Sequence, residues 1–321
     1  MTKQIKATSP ISQITSCRRL APLALLLSYT MLAIAPAFAV AAQQQTFATP
    51  DAAVKALEAA ANADDQNALE SILGSDSREL VSSGDPVADN NAREDFVRRY
   101  NQMHRLAYDD RGRLVLYIGA ENWPMPIPLV KQGAGWVFDT ASAKDEMLFR
   151  RIGRNELFTI DVLETLAEAQ QEYASEARDG AQQFAAKIVS EPGKHDGLYW
   201  VAAAGEPESP IGPLVASANA AGYKKDSGGA PIPFHGYFYE VLTRQGKNAP
   251  GGAKSYIQDG KMTGGFAFLA YPAEYRSSGV MTFMIDQDGV VVEKDLGTDT
   301  ARLASEISEF NPDKTWSELE E

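Results

Sequence analysis

The chain has 321 residues, and its 30 lysines and arginines face 43 aspartates and glutamates, a formal net charge of −13. So acidic a protein repels nucleic acid and anionic lipid, because phosphate binding needs clustered Lys and Arg. Neither is expected as a partner. The length is sufficient for a sizeable core and suggests about two domains.

The first 42 residues have the pattern of a signal peptide. Four basic residues come first, an apolar run from Leu20 to Ala35 follows, and the small residues Ala37 and Ala39 close the segment. The run has about 16 residues, fewer than the roughly 20 that a membrane-spanning helix needs. We therefore expect cleavage after Ala39 or Ala42, a periplasmic or secreted protein, and no stable membrane insertion after cleavage. The alternative is an uncleaved anchor.

The only cysteine of the chain, Cys17, lies inside this segment. Its removal excludes disulfides, thiolate nucleophiles and cysteine-based zinc sites from the remaining protein. Cleavage after Ala42 also leaves 26 basic against 43 acidic residues, a formal charge of −17. The exported protein must therefore rely on apolar packing, and its acidity favours solubility.

Residues 46–141 are expected to form an N-terminal α+β domain. Thr49-Pro50-Asp51 indicates a helix start, with a Thr cap, Pro at the first position and an acid at the positive helix end. Apolar residues at helical spacing predict two further helices, at 66–73 and 90–103, with a loop at 82–86 between them. Alternation predicts an antiparallel meander with strands at 114–118, 127–130 and 136–138. The order is similar, by analogy only, to cystatin-like and nuclear-transport-factor-like (NTF2-like) folds.

Residues 142–321 are expected to form a long helix and a C-terminal α+β domain. The helix should span 142–175, pack against both β-rich regions and break near Gly153, with Asn155 as the cap of its second piece. Antiparallel strands are predicted at 237–243, 264–271, 281–285 and 290–293, with a hairpin turn at 286–289. A closing helix is predicted at 300–310. The fold class is therefore α+β.

Two of the three histidines lie in loop-like stretches rich in glycine and aromatic residues. His195, Asp196 and His235 could form a general acid/base site, and this is the catalytic hypothesis. The alternative is that the histidines order their loops by hydrogen bonding to backbone. Zinc usually needs at least three protein ligands at a recognisable spacing, and no complete phosphate loop, nucleophile elbow or calcium loop is present. No cofactor and no metal is expected.

Arginines and exposed aromatic residues supply the binding candidates. Arg150 and Arg154 share a helix face and could hold a carboxylate or phosphate, or could pair with neighbouring acids and fasten the two halves together. Trp123 opens a stiff apolar segment whose three prolines exclude a central strand, which leaves an edge strand, a contact between domains or a peptide-binding lip. The remaining candidates stand next to the loop histidines: Tyr199, Trp200 and Tyr237.

Seven segments together resemble a family of exported bacterial proteins known only as domain of unknown function 2950. They are Ser82–Asp89, Trp123–Val130, Arg150–Glu156, Pro192–Trp200, His235–Tyr237, Ala249–Ala253 and Ser278–Phe283. The resemblance spans nearly the whole chain after the signal segment. It implies export but no activity, because the family has no established one.

A weaker likeness covers residues 155–295, which look like the heads of type IV pilin-like proteins. The segments that carry it are Ala169–Ala174, Gly236–Phe238 and Gly279–Gly289, and it implies a helix across an antiparallel sheet. The apolar assembly helix that pilins fuse to this head is missing. A polymerising pilin is therefore not expected.

Three functions are compatible with these patterns. The favoured one is a non-enzymatic periplasmic or secreted binding or accessory protein, with an envelope protein or peptide as a possible kind of partner. The first alternative is a hydrolase-like enzyme that uses His195, Asp196 and His235. The second is a component of an extracellular pilus-like assembly.

Overall fold

A computed structural model describes residues 44–178, 180–223 and 231–319. The signal segment predicted at 1–42 lies outside these residues. The described α-helices are α1 Pro50–Asn62, α2 Gln66–Leu73, α3 Arg78–Val81, α4 Pro86–Gln102, α5 Lys144–Ser175, α6 Gly212–Ala220 and α7 Thr300–Glu306.

The strands form two main groups, one before and one after α5. The first group is β1 His104–Tyr108, β2 Leu114–Ile118, β3 Trp123–Pro124, β4 Leu129–Gln132 and β5 Gly135–Phe138. The second is β6 Ala177–Arg178, β7 Ala181–Gln182, β8 Tyr237–Leu242, β9 Arg244–Gln245, β10 Lys254–Ser255, β11 Ile257–Gln258, β12 Lys261–Met262, β13 Ala267–Pro272, β14 Met281–Asp286, β15 Val291–Asp295 and β16 Ser317–Glu318.

Both larger sheets are antiparallel, as the sequence predicted. The first has the order β1-β2-β4-β5, with β3 also paired to β2, and the second has the order β16-β15-β14-β13-β8. The hairpin predicted at 286–289 is confirmed, because β14 and β15 pair in antiparallel register around it. The α+β fold class is confirmed.

Two hydrophobic clusters form the core of the unit that contains residues 41–321. The N-terminal cluster joins α1, α2 and α4 to the first sheet, with Ala53 and Ile118 among its most buried members. The C-terminal cluster packs α5 on β13 and β14 through Leu163 and Leu166. Met147 packs on the first cluster and Phe158 on the second, so α5 contacts both, as expected. The boundary predicted at 141/142 stays a prediction.

The helix α5 is continuous, and the break predicted near Gly153 is wrong. The helix runs for 32 residues through that position. Glycine weakens a helix but does not stop it when both sides bury an apolar face, because packing outweighs propensity. Asn155 is accordingly not a cap, and its side-chain amide donates to the backbone oxygen of Ser278 at 2.9 Å.

The other differences concern ends and short elements. α4 begins at Pro86, four residues before the predicted start, because Asp85 caps it by accepting from the amides of Val87 and Ala88. α7 ends at Glu306 rather than at residue 310. Strand β1 and helices α3 and α6 were not predicted. Among the described residues, no helix has both the length and the apolar character needed to cross a bilayer.

Candidate ligand-binding cavity

His195 and Asp196 lie in a loop that is held by ion pairs. The ring of His195 stacks on that of Trp200 with centroids 4.4 Å apart, and its backbone oxygen accepts from the Tyr173 hydroxyl at 2.7 Å. Asp196 pairs with Lys187 at 2.8 Å. The Lys187 ammonium and the Glu191 amide both lower the pKa of the Asp196 carboxyl. These contacts order the loop and leave Asp196 as a paired carboxylate.

His235 occupies a tight turn at the start of β8. Phe234 and Tyr237 exchange backbone hydrogen bonds of 2.8 and 3.2 Å, and φ is positive at both His235 (50°) and Gly236 (81°), as in a type I′ turn. The His235 ring packs on Phe158 with centroids 3.9 Å apart. Burial lowers the pKa of His235, although the nearby Asp85 carboxylate opposes the shift. The ring is therefore neutral at pH 7.

The two histidines do not share a site. His235 packs on Phe158, and the backbone oxygen of His195 accepts from the Tyr173 hydroxyl. Phe158 and Tyr173 both belong to α5. Phe158 and Tyr173 are fifteen residues apart on this helix, which corresponds to about 22 Å along its axis. The two histidines also line different cavities. The catalytic set proposed from sequence is thus not assembled in one place.

The arginines of α5 differ in environment although they are adjacent in sequence. Arg150 is exposed and pairs with Glu146 at 2.7 Å. Arg151 is largely withdrawn from solvent and donates to the backbone oxygens of Glu79, Leu80 and Ser277. Arg154 faces a cavity and makes no hydrogen bond or ion pair with the residues that the structure describes. The fastening role considered for Arg150 and Arg154 is performed by Arg151.

The aromatic binding candidates are dispersed. Trp123 is 40 % exposed and lies in β3, which pairs with β2, so it does not reach the loop histidines. Trp200 and Tyr199 belong to the loop of His195. Tyr237 is fully buried, its hydroxyl donates to the backbone oxygen of Met281 at 2.9 Å, and burial strongly raises its pKa. Tyr237 therefore supports the core.

The buried carboxylate of Asp85 joins the two hydrophobic clusters and was missed in the sequence. One of its oxygens caps α4, and the other accepts from the Tyr223 hydroxyl at 2.8 Å and from the Gly236 amide at 2.9 Å. A side chain at Gly236 would come within 2.8 Å of both Asn155 and Ser278, so the backbone approach requires glycine. Asp85-Pro86 repeats the cap-then-proline signature of Thr49-Pro50, and this signal could have identified the cap.

A cavity of about 360 Å³ opens beside this junction. Its wall is mostly apolar and is built by α1, α2, α3 and α4, together with the residue that follows β3. The apolar lining includes Leu57, Leu69, Leu80, Phe96 and Met125. The polar lining comprises Ser83, Asp89, Asn91, Arg93, Arg151, Arg154, Asn155, Tyr223 and His235.

Three charged side chains at the cavity are held by hydrogen bonds or ion pairs, and burial shifts the pKa of two of them. Asp89 accepts from the Ser83 amide at 2.9 Å, and burial raises the pKa of its carboxyl. Burial lowers the pKa of Arg151, although the nearby Asp89 carboxylate acts to raise it. Arg93 is held by Asp64 at 2.5 Å and by the backbone oxygen of Val81. An apolar space with a few oriented polar groups is the usual form of a small-molecule site.

The second cavity, near His195, has a different character. It is lined by Lys187, Lys194 and Asp196, which are tied to one another and to Glu191 by ion pairs of 2.5 to 2.8 Å. Its charges are already satisfied. Among the described residues, no group of three or more His, Cys, Asp or Glu side chains is placed to hold a metal ion.

The family comparison covers the whole of this architecture. The family model described as "Protein of unknown function (DUF2950)" matches residues 44–319. The chain belongs to the DUF2950 family. No curated protein and no solved structure matches this chain. Export and the pilin-like likeness of residues 155–295 stay predictions.

Four of the segments on which the DUF2950 resemblance rests meet at the cavity. The contributions are Ser83, Ala88 and Asp89 from Ser82–Asp89, Met125 from Trp123–Val130, Arg151, Arg154 and Asn155 from Arg150–Glu156, and His235 from His235–Tyr237. These segments are far apart in sequence, and the Asp85–Gly236 hydrogen bond spans 151 residues. The cavity therefore depends on the association of both halves of the DUF2950 region.

Proposed function

We propose that this protein is an exported, non-enzymatic binding protein that holds a small, largely apolar molecule in the cavity beside Asp85. The cavity of about 360 Å³ carries the proposal, because its size and its apolar wall suit a small ligand. The signal-like residues 1–42 support its placement in the periplasm or the medium.

The hydrolase-like alternative has lost its main support. It required His195, Asp196 and His235 in one site, and about 22 Å of helix separates the anchor points of the two histidines. Asp196 is moreover paired with Lys187. No observation favours a pilus-like assembly over ligand binding.

The test is binding of a neutral apolar dye, N-phenyl-1-naphthylamine, to protein purified after export of the full chain. We expect a saturable rise in fluorescence with one dye per chain, because the dye fluoresces in apolar surroundings. The variant Ala92→Trp should weaken binding at least about tenfold, since a helical side chain leans toward the N-terminus and the indole would lie over Ala88 and Asp89 in the lining.

The matched control is Ala301→Trp, an exposed alanine on α7 away from the cavity. It adds the same indole to a helix and should leave dye binding unchanged. No saturable binding by the wild-type protein, or equal binding by the wild type and Ala92→Trp, would overturn the proposal.

A further inference from the structure

The lining of the cavity is rich in arginine, although the protein as a whole is strongly acidic. Its lining includes three arginines, Arg93, Arg151 and Arg154, against the single carboxylate of Asp89. The chain as a whole carries a formal charge of −13. An arginine of this lining that has no acidic partner would attract an anion by charge complementarity.

Two of the three arginines are already engaged by the protein. Arg93 is held between Asp64 and the backbone oxygen of Val81. Arg151 donates to three backbone oxygens and to the hydroxyl of Ser277. Neither guanidinium can turn toward a ligand without losing these bonds.

Arg154 is the guanidinium that remains available. It lines the cavity one turn of α5 beyond Arg150, and it has no hydrogen-bond or ion-pair partner in the part of the chain that the structure describes. The nearby His235 is neutral at pH 7, because burial lowers its pKa. The carboxylate of Asp89 interacts with Arg93 and Arg151, so it does not neutralise Arg154.

Building on the proposed function, we propose that the ligand is an apolar molecule with a single carboxylate, and that Arg154 binds this carboxylate while the wall of α1, α2 and α4 encloses the apolar body. A guanidinium offers two parallel donors that match the two oxygens of a carboxylate. One free arginine balances one negative charge, which favours a carboxylate over a phosphate dianion.

The test uses three compounds with the same apolar chain: decanoate, decanol and decyl phosphate. Each displaces the neutral dye N-phenyl-1-naphthylamine from the wild-type protein and from Arg154→Gln, so the dye reports on the cavity independently of charge. Decanoate should displace the dye at a concentration at least about tenfold lower than decanol does, and Arg154→Gln should remove this advantage. Decanol should bind equally well to both proteins.

Arg150→Gln is the control, because it removes the same charge from the same helix at a side chain that pairs with Glu146 outside the cavity. It should leave all three displacement curves unchanged. If decanoate and decanol are equivalent, or if Arg154→Gln leaves the decanoate curve unaltered, the carboxylate proposal is wrong while the cavity still binds. Preference for decyl phosphate over decanoate would also overturn it. Failure of the dye itself to bind would instead remove the proposed function.

Discussion

Gly153 is a glycine that the fold does not require. It lies inside α5 with helical backbone angles, and a β-carbon there would meet no atom within 4 Å. Glycine in a helix interior costs up to about 1 kcal/mol relative to alanine, because it loses more backbone entropy on folding. The intrinsic propensity of glycine thus disfavours a helix at this residue, and the packing of α5 on both hydrophobic clusters outweighs that cost.

Gly153→Ala should raise the free energy of unfolding by up to about 1 kcal/mol. The reason is that alanine restricts the unfolded chain and adds no clash. Urea unfolding measures the effect as a higher midpoint with an unchanged slope.

Gly236→Ala is the comparison, because the same substitution there meets a positive φ of 81° and contacts of 2.8 Å. It should lower stability. A loss of stability in Gly153→Ala would contradict the conclusion that the fold does not require glycine at this position.

Arg151 connects α5 to two other segments of the backbone. Its guanidinium bonds to the oxygens of Glu79 and Leu80, at the end of α3, and to Ser277, in the loop before β14. A cation suits the negative end of a short helix. The planar fork of arginine reaches both segments at once, whereas the single ammonium of a lysine cannot.

Arg151→Lys should therefore lower the free energy of unfolding by about 2 to 3 kcal/mol although the charge is kept, since hydrogen bonds to charged groups contribute about that much. Arg150→Lys provides the control, because its exposed i,i+4 pair with Glu146 contributes only about 0.3 to 0.5 kcal/mol. Chemical unfolding of both variants compares them. Equal stabilities of the two variants would show that Arg151 does not connect the segments.

Local signals predicted those elements whose ends are set by nearby residues. The Thr49 hydroxyl does accept from the Ala52 amide at 3.2 Å, and the turn at 286–289 does join two antiparallel strands. α4 was placed too late because Gly84 and Pro86 were interpreted as loop residues, although Asp85 between them is the cap. The α+β class could thus be predicted because its periodicities are local.

The cavity could not be predicted, because its parts are distant in sequence. Asp85 meets Gly236 across 151 residues, and Arg151 meets Ser277 across 126. Periodicity reports which face of an element is buried but not which element covers it. The sequence therefore drew attention to His195 and His235 by residue type and overlooked Asp85, whose importance comes from its partners.

At the scale of the whole molecule, the connections between the two hydrophobic clusters in the described chain include a shared helix and two buried polar side chains. The helix α5 belongs to both clusters, Arg151 bonds across them, and Asp85 ties the start of α4 to the turn before β8. Because the Asp85 carboxylate is fully buried, its hydrogen bonds are not replaced by water if the halves separate slightly. We therefore expect both clusters to unfold in one transition.

Asp85→Asn tests this connection while preserving the helix cap. Asparagine caps a helix as well as aspartate does, so its oxygen can still accept from the amides of Val87 and Ala88. Its amide group then faces the Gly236 N–H, and two donors cannot bond to each other. The free energy of unfolding should fall by about 2 to 3 kcal/mol, as measured by urea titration with fluorescence and circular dichroism.

Asp65→Asn is the matched control, since Asp65 caps α2 by accepting from Ala68 at 2.9 Å but makes no hydrogen bond to the second half of the described chain. It should change stability by only a few tenths of a kcal/mol. If Asp85→Asn is as stable as this control, the two clusters do not depend on the buried carboxylate.

The combination of Asp85→Asn with Tyr223→Phe locates the effect. A shared contact makes the two losses of stability less than additive, whereas losses at independent sites would add. Because the same junction borders the cavity, a protein weakened there should also bind N-phenyl-1-naphthylamine less tightly, which links the stability of the molecule to its proposed function.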